Sequence, residues 1–366
     1  MRQGPEKADA VSPEPLGGAV FSVEELLRSA GASELPATDF SEAATYLKGK
    51  RVLVTGAGGS VGSQLCQQIA GCQCAQLTML DRDETALQEA DIALGGTGLL
   101  RDNAFVLADI RDFAALTEVF EERRPDVVFH AAALKHLPLL ERYPDEAWKT
   151  NVVGTLNVLQ AALDVGVASF VHVSTDKAAN PTSVLGLAKN LGERLTAWAA
   201  QQSGKRYLSV RFGNVLGSQG SVVPTFARLI EQGRNIAVTD PEATRYFMTV
   251  EQACQLILQA GQDGPPGEIL TLDIGAPVRI IDLAQAMIER SGNDVAIEVA
   301  GLRGGEKLHE EPPSKSKGKA GVRASTGQAA VPVLAPADAT HTKWEQLVAA
   351  SAPDRQLKLA ELYGSL

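Results

Sequence analysis

The stretch that most constrains this chain is RVLVTGAGGSVGSQLCQQIA, residues 51–70. A short apolar run ends at Thr55, glycines follow at Gly56, Gly59 and Gly62, and a helical pattern starts near Ser60. Glycine is needed where a turn takes positive φ and where the backbone must come against a pyrophosphate. The helix start then offers free N–H groups and a partial positive charge to an anion. Taken alone, the pattern also fits a tight turn without a ligand. A strand before it and a helix after it favour the cradle. Gly56, Gly58, Gly59, Ser60, Val61 and Gly62 therefore form the candidate dinucleotide-binding turn.

From this point strands and helices alternate. RVLVT, LTML, FVLAD, VVFHAA, FVHVST and YLSVRF read as short buried strands, with helical stretches between them. Alternation over about 160 residues predicts an α/β fold with a Rossmann-type doubly wound parallel sheet. After Arg211 the rhythm breaks into loops rich in Gly, Pro, Thr and Asp, which predicts a smaller C-terminal substrate-binding lobe. The expected division is an N-terminal extension (1–48), a nucleotide-binding domain (49–211) with a returning segment near 245–275, the lobe (212–310), and a linker with C-terminal helices (311–366).

Composition excludes several classes. The chain has 366 residues, 45% hydrophobic and 21% charged, with a net charge of −10. That balance argues against a nucleic-acid partner held by a basic surface. There is no run of 18 apolar residues and no signal-peptide core at the N-terminus. Cys66, Cys72, Cys74 and Cys254 are unevenly spaced, with no zinc signature or disulfide framework. A cytoplasmic protein without a metal site is the expectation.

Further cofactor contacts can be placed by position. Asp81 ends the second strand, 19 residues after Gly62, where an acid can bond both ribose hydroxyls and repel a 2′-phosphate. This favours NAD over NADP, although the adjacent Arg82 could pair with such a phosphate. Asp109 and Ile110 end the third strand and suit an adenine edge and face; Asp109 could equally cap the next helix. Ala131, Ala132 and Ala133 leave room for a nicotinamide ribose, and Asn151 is a polar residue inside a helical region. Lys135 and His136 follow the fourth strand and could reach a sugar or pyrophosphate, or simply be a solvated lysine and a packed histidine. His130 and His172 read as core.

The stretch STDKAANPTSVLGLAKN places Thr175, Asp176 and Lys177 side by side and Lys189 further on. Alone, the triplet could be a surface turn and helix cap. It is one of nine motifs that occur in a single order: TGAGGSVG, LDRDE, ADIRD, HAAALKHLPLLE, TNVVGT, STDKAANPTSVLGLAK, VRFGNVLGSQGSVVP, TDPEATRYFMT and GLRGGEK. Together, over roughly residues 45–311, they resemble the extended short-chain dehydrogenase/reductases of nucleotide-sugar metabolism. More narrowly they resemble the UDP-N-acetylglucosamine 4,6-dehydratases of the polysaccharide-biosynthesis group. The segment from VEELLRS to YLKGK is similar to the joint that follows a membrane-anchored front half in long relatives, so the chain resembles the short, soluble form.

The resemblance implies tightly held NAD and a reaction without net redox change. Sugar C4 is oxidised, water leaves across C5 and C6, and the hydride returns to C6, giving a 4-keto-6-deoxy sugar for surface-glycan synthesis. It implies Lys177 as the base for the C5 proton, which requires a pKa depressed by burial or by cations such as Lys189. It implies Asp176, kept protonated, as the acid for the departing C6 oxygen. Thr175 would hydrogen-bond the C4 oxygen, and Lys189 would bind the nicotinamide ribose. Many nicotinamide enzymes carry Tyr-x-x-x-Lys at the last position; here Leu185 stands in the tyrosine place, leaving the C4 proton to Thr175 with a water or to Lys189 through Thr175. Arg245 and Arg303 would hold the diphosphate, where guanidinium bonds bidentately, Glu306 the uridine ribose, and Asn214 the sugar-phosphate. Gly304 replaces the family's usual proline, which would loosen that loop. The rival readings are a C4 or C5 epimerase of the same fold and a catalytically silent NAD-binding regulatory protein. Self-association is implied by the resemblance alone.

Overall fold

In the computed structural model, residues 25, 45–100, 103–272 and 276–310, with the backbone of 322–325, are described. The helices expected within 21–31 and beyond 340 lie outside these residues.

The centre is an eight-stranded sheet. Its first half is β1 (Arg51–Thr55), β2 (Gln76–Asp81), β3 (Phe105–Leu107) and β4 (Val127–His130). Its second half is β5 (Ser169–Val173), β6 (Arg206–Arg211), and the strands Ile269–Leu272 and Val322–Ser325. The order across the sheet is Val322–Ser325, Ile269–Leu272, β6, β5, β4, β1, β2, β3. All neighbours run parallel except Val322–Ser325, which is antiparallel to Ile269–Leu272. The strand order reverses between β1 and β4, and in open α/β sheets the crevice outside such a reversal is where ligands bind.

The near-continuous apolar runs follow from burial on both faces. Val52 and Val54 pack on one side with Phe129, Val171 and Leu208. Leu53 packs on the other with Val128, Phe170 and Tyr207. Helices α1 (Ser60–Ala70) and Val250–Asp263 cover the first face, and Thr155–Val165 and Val184–Ser203 the second. Within the segment expected to be a linker or extended wrap, Val322–Ser325 pairs with Ile269–Leu272 at one edge of the sheet.

A third apolar cluster, including Val223, Phe226, Ile236, Val238, Leu283 and Met287, forms the core of the residues after β6 that do not return to the sheet. Two short strands, Asn214–Val215 and Phe247–Met248, pair in parallel at the junction. That pairing holds Asn214 within reach of Lys177, while Arg245 lies in the strand Thr244–Arg245, antiparallel to Val278–Arg279.

Candidate functional site

The glycine turn is shaped by contact as much as by φ. Gly56 has φ +69°, and a Cβ there would lie 2.6 Å from the backbone of Ala132, so the β1 and β4 loops meet at this residue. A Cβ on Gly62 would lie 2.0 Å from the Gly56 carbonyl oxygen. Gly58 is restricted from another side: its Cβ would meet that of Ala86, 2.4 Å away. Val61 packs on the core, while the Ser60 hydroxyl accepts from the Gln219 N–H at 3.0 Å, tying the turn to the second lobe.

A pocket of about 140 Å³ opens beside this turn. Gly56, Gly59, Asp81, Arg82, Asp109, Ile110 and Ala131–Ala133 line it, with Leu80, Ala108, Leu134 and Thr150, which the motif reading missed. Thr150 and Asn151 belong to a wide π-helical turn, Trp148–Gly154. The Asn151 amide is occupied with backbone: it accepts from the Leu134 N–H at 2.8 Å and donates to the Leu134 carbonyl at 2.9 Å. Asn151 thus holds the pocket wall in place.

The residues fit a dinucleotide. The cradle has room only where a Cβ is absent. The Asp81 carboxylate is fixed by the N–H groups of Gly58 (2.9 Å) and Asp83 (3.1 Å), one on each oxygen, and keeps lone pairs for a diol. Arg82 points toward Asp109, at 3.8 Å, and Arg111 grips the same carboxylate at 2.6 Å. Burial alone would raise the Asp109 carboxyl, but Arg111 and Arg82 hold it below its ordinary value.

The Thr175–Asp176–Lys177 triplet leaves β5 as it ends. The Ser174 N–H donates to Val210, and the Asp176 N–H to Phe212. A short 3₁₀ turn, Asp176–Ala178, follows, with the Thr175 hydroxyl oxygen capping it. That hydroxyl donates to Asp176 Oδ1 at 2.9 Å. Lys177 Nζ donates to the same oxygen at 3.0 Å, to Asn214 Oδ1 at 3.2 Å, and meets Glu310 Oε1 at 3.2 Å. The triplet is both a capped turn and a hydrogen-bonded cluster.

The protons of the two lysines are held oppositely, which corrects the expectation for Lys177. Burial would lower Lys177, but Asp176 and Glu310 outweigh it and hold the ammonium above its ordinary value. The cation that opposes them is Arg245, not Lys189. Lys189 lies inside the long helix Val184–Ser203, 6% exposed, and burial pushes it down to about 8 against the pull of Glu193. Leu185, one turn before it, is packed in the apolar cluster.

A buried ion pair backs the triplet. Arg211 Nε and Nη2 donate to the two Glu193 oxygens, each at 2.6 Å. The Ser174 hydroxyl donates to Glu193 at 2.6 Å, and Arg211 also reaches the Ala178 carbonyl at 3.3 Å. The motifs give neither residue a role, although Arg211 lies inside VRFGNVLGSQGSVVP; the available signal is a Glu on the apolar face of a helix and an Arg closing a buried strand. His130 and His172 stack inside the sheet, ring centroids 5.4 Å apart. Burial pulls His130 down to about 3, so it is neutral core between Thr55 and Thr155.

The second lobe assembles the remaining set. Arg245 is buried, with Nη2 2.8 Å from Glu306 and Nε 3.9 Å from Glu310. Arg303 Nε lies 2.9 Å from the other Glu306 oxygen. Burial would raise Glu306, but Arg303 and Arg245 hold it below its ordinary value. This loop is stitched to the segment after the triplet: Thr182 donates to the Gly305 carbonyl at 3.0 Å and Lys307 to the Ala179 carbonyl at 2.8 Å. Lys135 and His136 sit on an exposed turn after β4, where the His136 ring faces Gly220 of the second lobe.

Residues 52–325 match the family model described as polysaccharide biosynthesis protein. Among curated relatives, the probable polysaccharide biosynthesis protein EpsC of Bacillus subtilis is 43% identical over 76% of this chain and 47% of its own length. The UDP-glucose 4-epimerase of Rickettsia akari is 36% identical over 71% of this chain and 76% of that protein. The solved structure of Pen from Bacillus thuringiensis superposes with a TM-score of 0.68 at 33% identity, covering 73% of this chain and 82% of that one. The chain spans about half the length of EpsC. No helix among the described residues is long and apolar enough to cross a membrane. With the nine ordered motifs, the reversed parallel sheet and the cradle in hand, the chain belongs to the polysaccharide biosynthesis group of the extended short-chain dehydrogenase/reductases.

Proposed function

We propose that this chain is an NAD-dependent 4,6-dehydratase of a UDP-N-acetylhexosamine, with UDP-N-acetylglucosamine as the first substrate to test. The product is a 4-keto-6-deoxy sugar for surface polysaccharide. The observation that carries this reading is the pairing of Asp176 and Lys177 at 3.0 Å in one cluster with Thr175, beside a leucine in the tyrosine place. Elimination across two adjacent carbons needs an acid and a base side by side. Epimerisation at C4 needs no such pair; its one proton transfer, at the C4 hydroxyl, is a step that dehydration shares.

NAD, when bound, supplies reversible hydride acceptance. Preference for NAD over NADP is supported by the fixed Asp81 carboxylate and by an Arg82 already drawn to Asp109. Thr175 binds the C4 oxygen. Lys189, with its proton poised near about 8, is the group that exchanges that proton near neutral pH, through Thr175. One proton first passes from Lys177 Nζ to Asp176 Oδ1 across their 3.0 Å contact; the free amine then removes the C5 proton, the Asp176 carboxyl protonates the departing C6 oxygen, and the proton that C4 gave up to Lys189 restores the charged pair through solvent. Arg245 and Arg303 bind the diphosphate, Glu306 the uridine ribose, and Asn214 orients Lys177 toward the sugar.

The sequence similarity to UDP-glucose 4-epimerases gives epimerisation as the second reading. Incubation with UDP-N-acetylglucosamine separates the two by mass. A product lighter by one water supports dehydration. A product of unchanged mass and altered C4 configuration supports the epimerase and overturns the first reading.

A further inference from the structure

Residues 216–221 join the strand Asn214–Val215 to the helix Val222–Glu231, and no step of the reaction proposed above uses them. Both ends of this segment are fixed. The Leu216 N–H donates to the Met248 carbonyl at 2.9 Å, the Ser218 hydroxyl to the Val215 carbonyl at 2.9 Å, and the Ser221 N–H to the Ser218 carbonyl at 2.9 Å. The middle leaves the second lobe and touches the nucleotide-binding domain twice. The Gln219 N–H donates to Ser60 Oγ at 3.0 Å. Gly220, at φ +67°, lies so close to the His136 ring that a Cβ there would be 2.7 Å from Cε1 and 3.2 Å from Nε2. These two points belong to opposite walls of the pocket. Gly59, the residue before Ser60, lines it from the β1 turn, and Leu134, two residues before His136, lines it from the loop after β4. The segment is therefore a strap from one wall to the other. It bridges the crevice between β1 and β4, where the strand order reverses, on the side away from β2 and β3.

We propose that residues 217–220 latch the cofactor cleft, with Ser60 and His136 as the catches, so that NAD enters and leaves only when the strap opens. This rests on the reading of the pocket as the dinucleotide site and is independent of the sugar chemistry. The device suits a reaction without net redox change. The hydride taken from C4 is returned to C6, so one cofactor serves successive turnovers and need not be exchanged. The latch is made of protein groups alone: an N–H on a hydroxyl, and a ring against a glycine backbone. Weakening it lowers the barrier to entry and to exit together and leaves affinity nearly unchanged. A lost contact to the cofactor itself behaves otherwise, because it speeds exit alone.

The test is exchange of bound NAD for deuterated NAD in the holoprotein, read by mass spectrometry after rapid desalting. Relative affinity is read separately, from the partition of limiting NAD between wild type and variant across a dialysis membrane. Gln219→Pro removes the N–H donor, and Gly220→Ala sets a Cβ against the His136 ring. Both should exchange NAD at least about fivefold faster than wild type, while the partition stays within about twofold of even. Unchanged exchange in either variant, or faster exchange with NAD drawn to wild type in the same proportion, overturns the latch. Ser60→Ala removes the Gln219 bond from its other end. The double variant Ser60→Ala/Gln219→Pro should therefore exchange no faster than the faster single variant, and effects that multiply overturn the shared bond. A wild type that holds no NAD overturns the latch together with the NAD reading. A wild type that dehydrates no sugar, but whose variants exchange NAD as stated, removes the dehydratase reading and leaves the latch standing.

Discussion

Lys177 and Lys189 show how little a residue type says about its proton. Lys177 follows β5 and Lys189 lies in the helix after it, yet two carboxylates hold the first above its ordinary value and burial lowers the second to about 8. The sequence placed both lysines; it could not show that Glu310 would lie beside Lys177, since 133 residues separate them. Lys189 also costs stability. Its folded pKa, about 8, lies below the 10.5 of the unfolded chain, so between those values the unfolded state binds more protons and stability rises with pH. Replacing Lys189 with Met should therefore stabilise the protein at pH 7 by at most about 3 kcal/mol, with the gain vanishing toward pH 10.5, while dehydration is lost. Thermal melts across that pH range check it; a variant less stable than wild type at pH 7 contradicts it. Neighbouring glycines give a second contrast. A Cβ at Gly304 meets nothing within 4 Å, whereas Gly305 has φ +76° and its Cβ would crowd Glu141 and Ser183. Gly304→Ala should change stability by no more than about 1 kcal/mol, and Gly305→Ala should cost about 1–3 kcal/mol. Equal effects in denaturant titrations would refute this assignment.

At the scale of elements, the parallel strands and the glycine turn were legible because burial on both faces leaves continuous apolar runs and because the cradle admits no Cβ. Other elements left weaker marks. The π-helical turn Trp148–Gly154 carries an ordinary helical pattern, and it ends at a close approach: a Cβ at Gly154 would come within 2.6 Å of Ile110. The strand Val322–Ser325 was hidden in a stretch rich in Lys, Gly and Pro, and only an open sheet edge explains its pairing. The helix Val184–Ser203 has the most consequence. It carries the buried Lys189 and sets Glu193 under the triplet. Glu193→Ala would leave Arg211 buried without its partner, which should cost about 3–5 kcal/mol. Glu193→Gln should cost less, because it keeps an acceptor for Ser174. Urea unfolding of the two variants measures the difference; an Ala variant as stable as wild type would mean the ion pair does not hold the triplet.

For the whole molecule, two units make one site. The sheet supplies the cradle and the triplet, and the residues after β6 bring Arg245, Arg303, Glu306 and Glu310 over it. A net charge of −10 coexists with this concentration of guanidinium and ammonium groups, so the affinity proposed for an anionic ligand rests on the local charge of the cleft. The central claim is that Asp176 and Lys177 act as acid and base of an elimination across C5 and C6. The measurement is mass spectrometry and NMR of UDP-N-acetylglucosamine incubated with the protein in deuterium oxide. The account predicts loss of one water with one deuterium gained at C5, and neither in Lys177→Met. Water lost with no deuterium at C5, or unchanged sugar from protein carrying bound NAD, would contradict it.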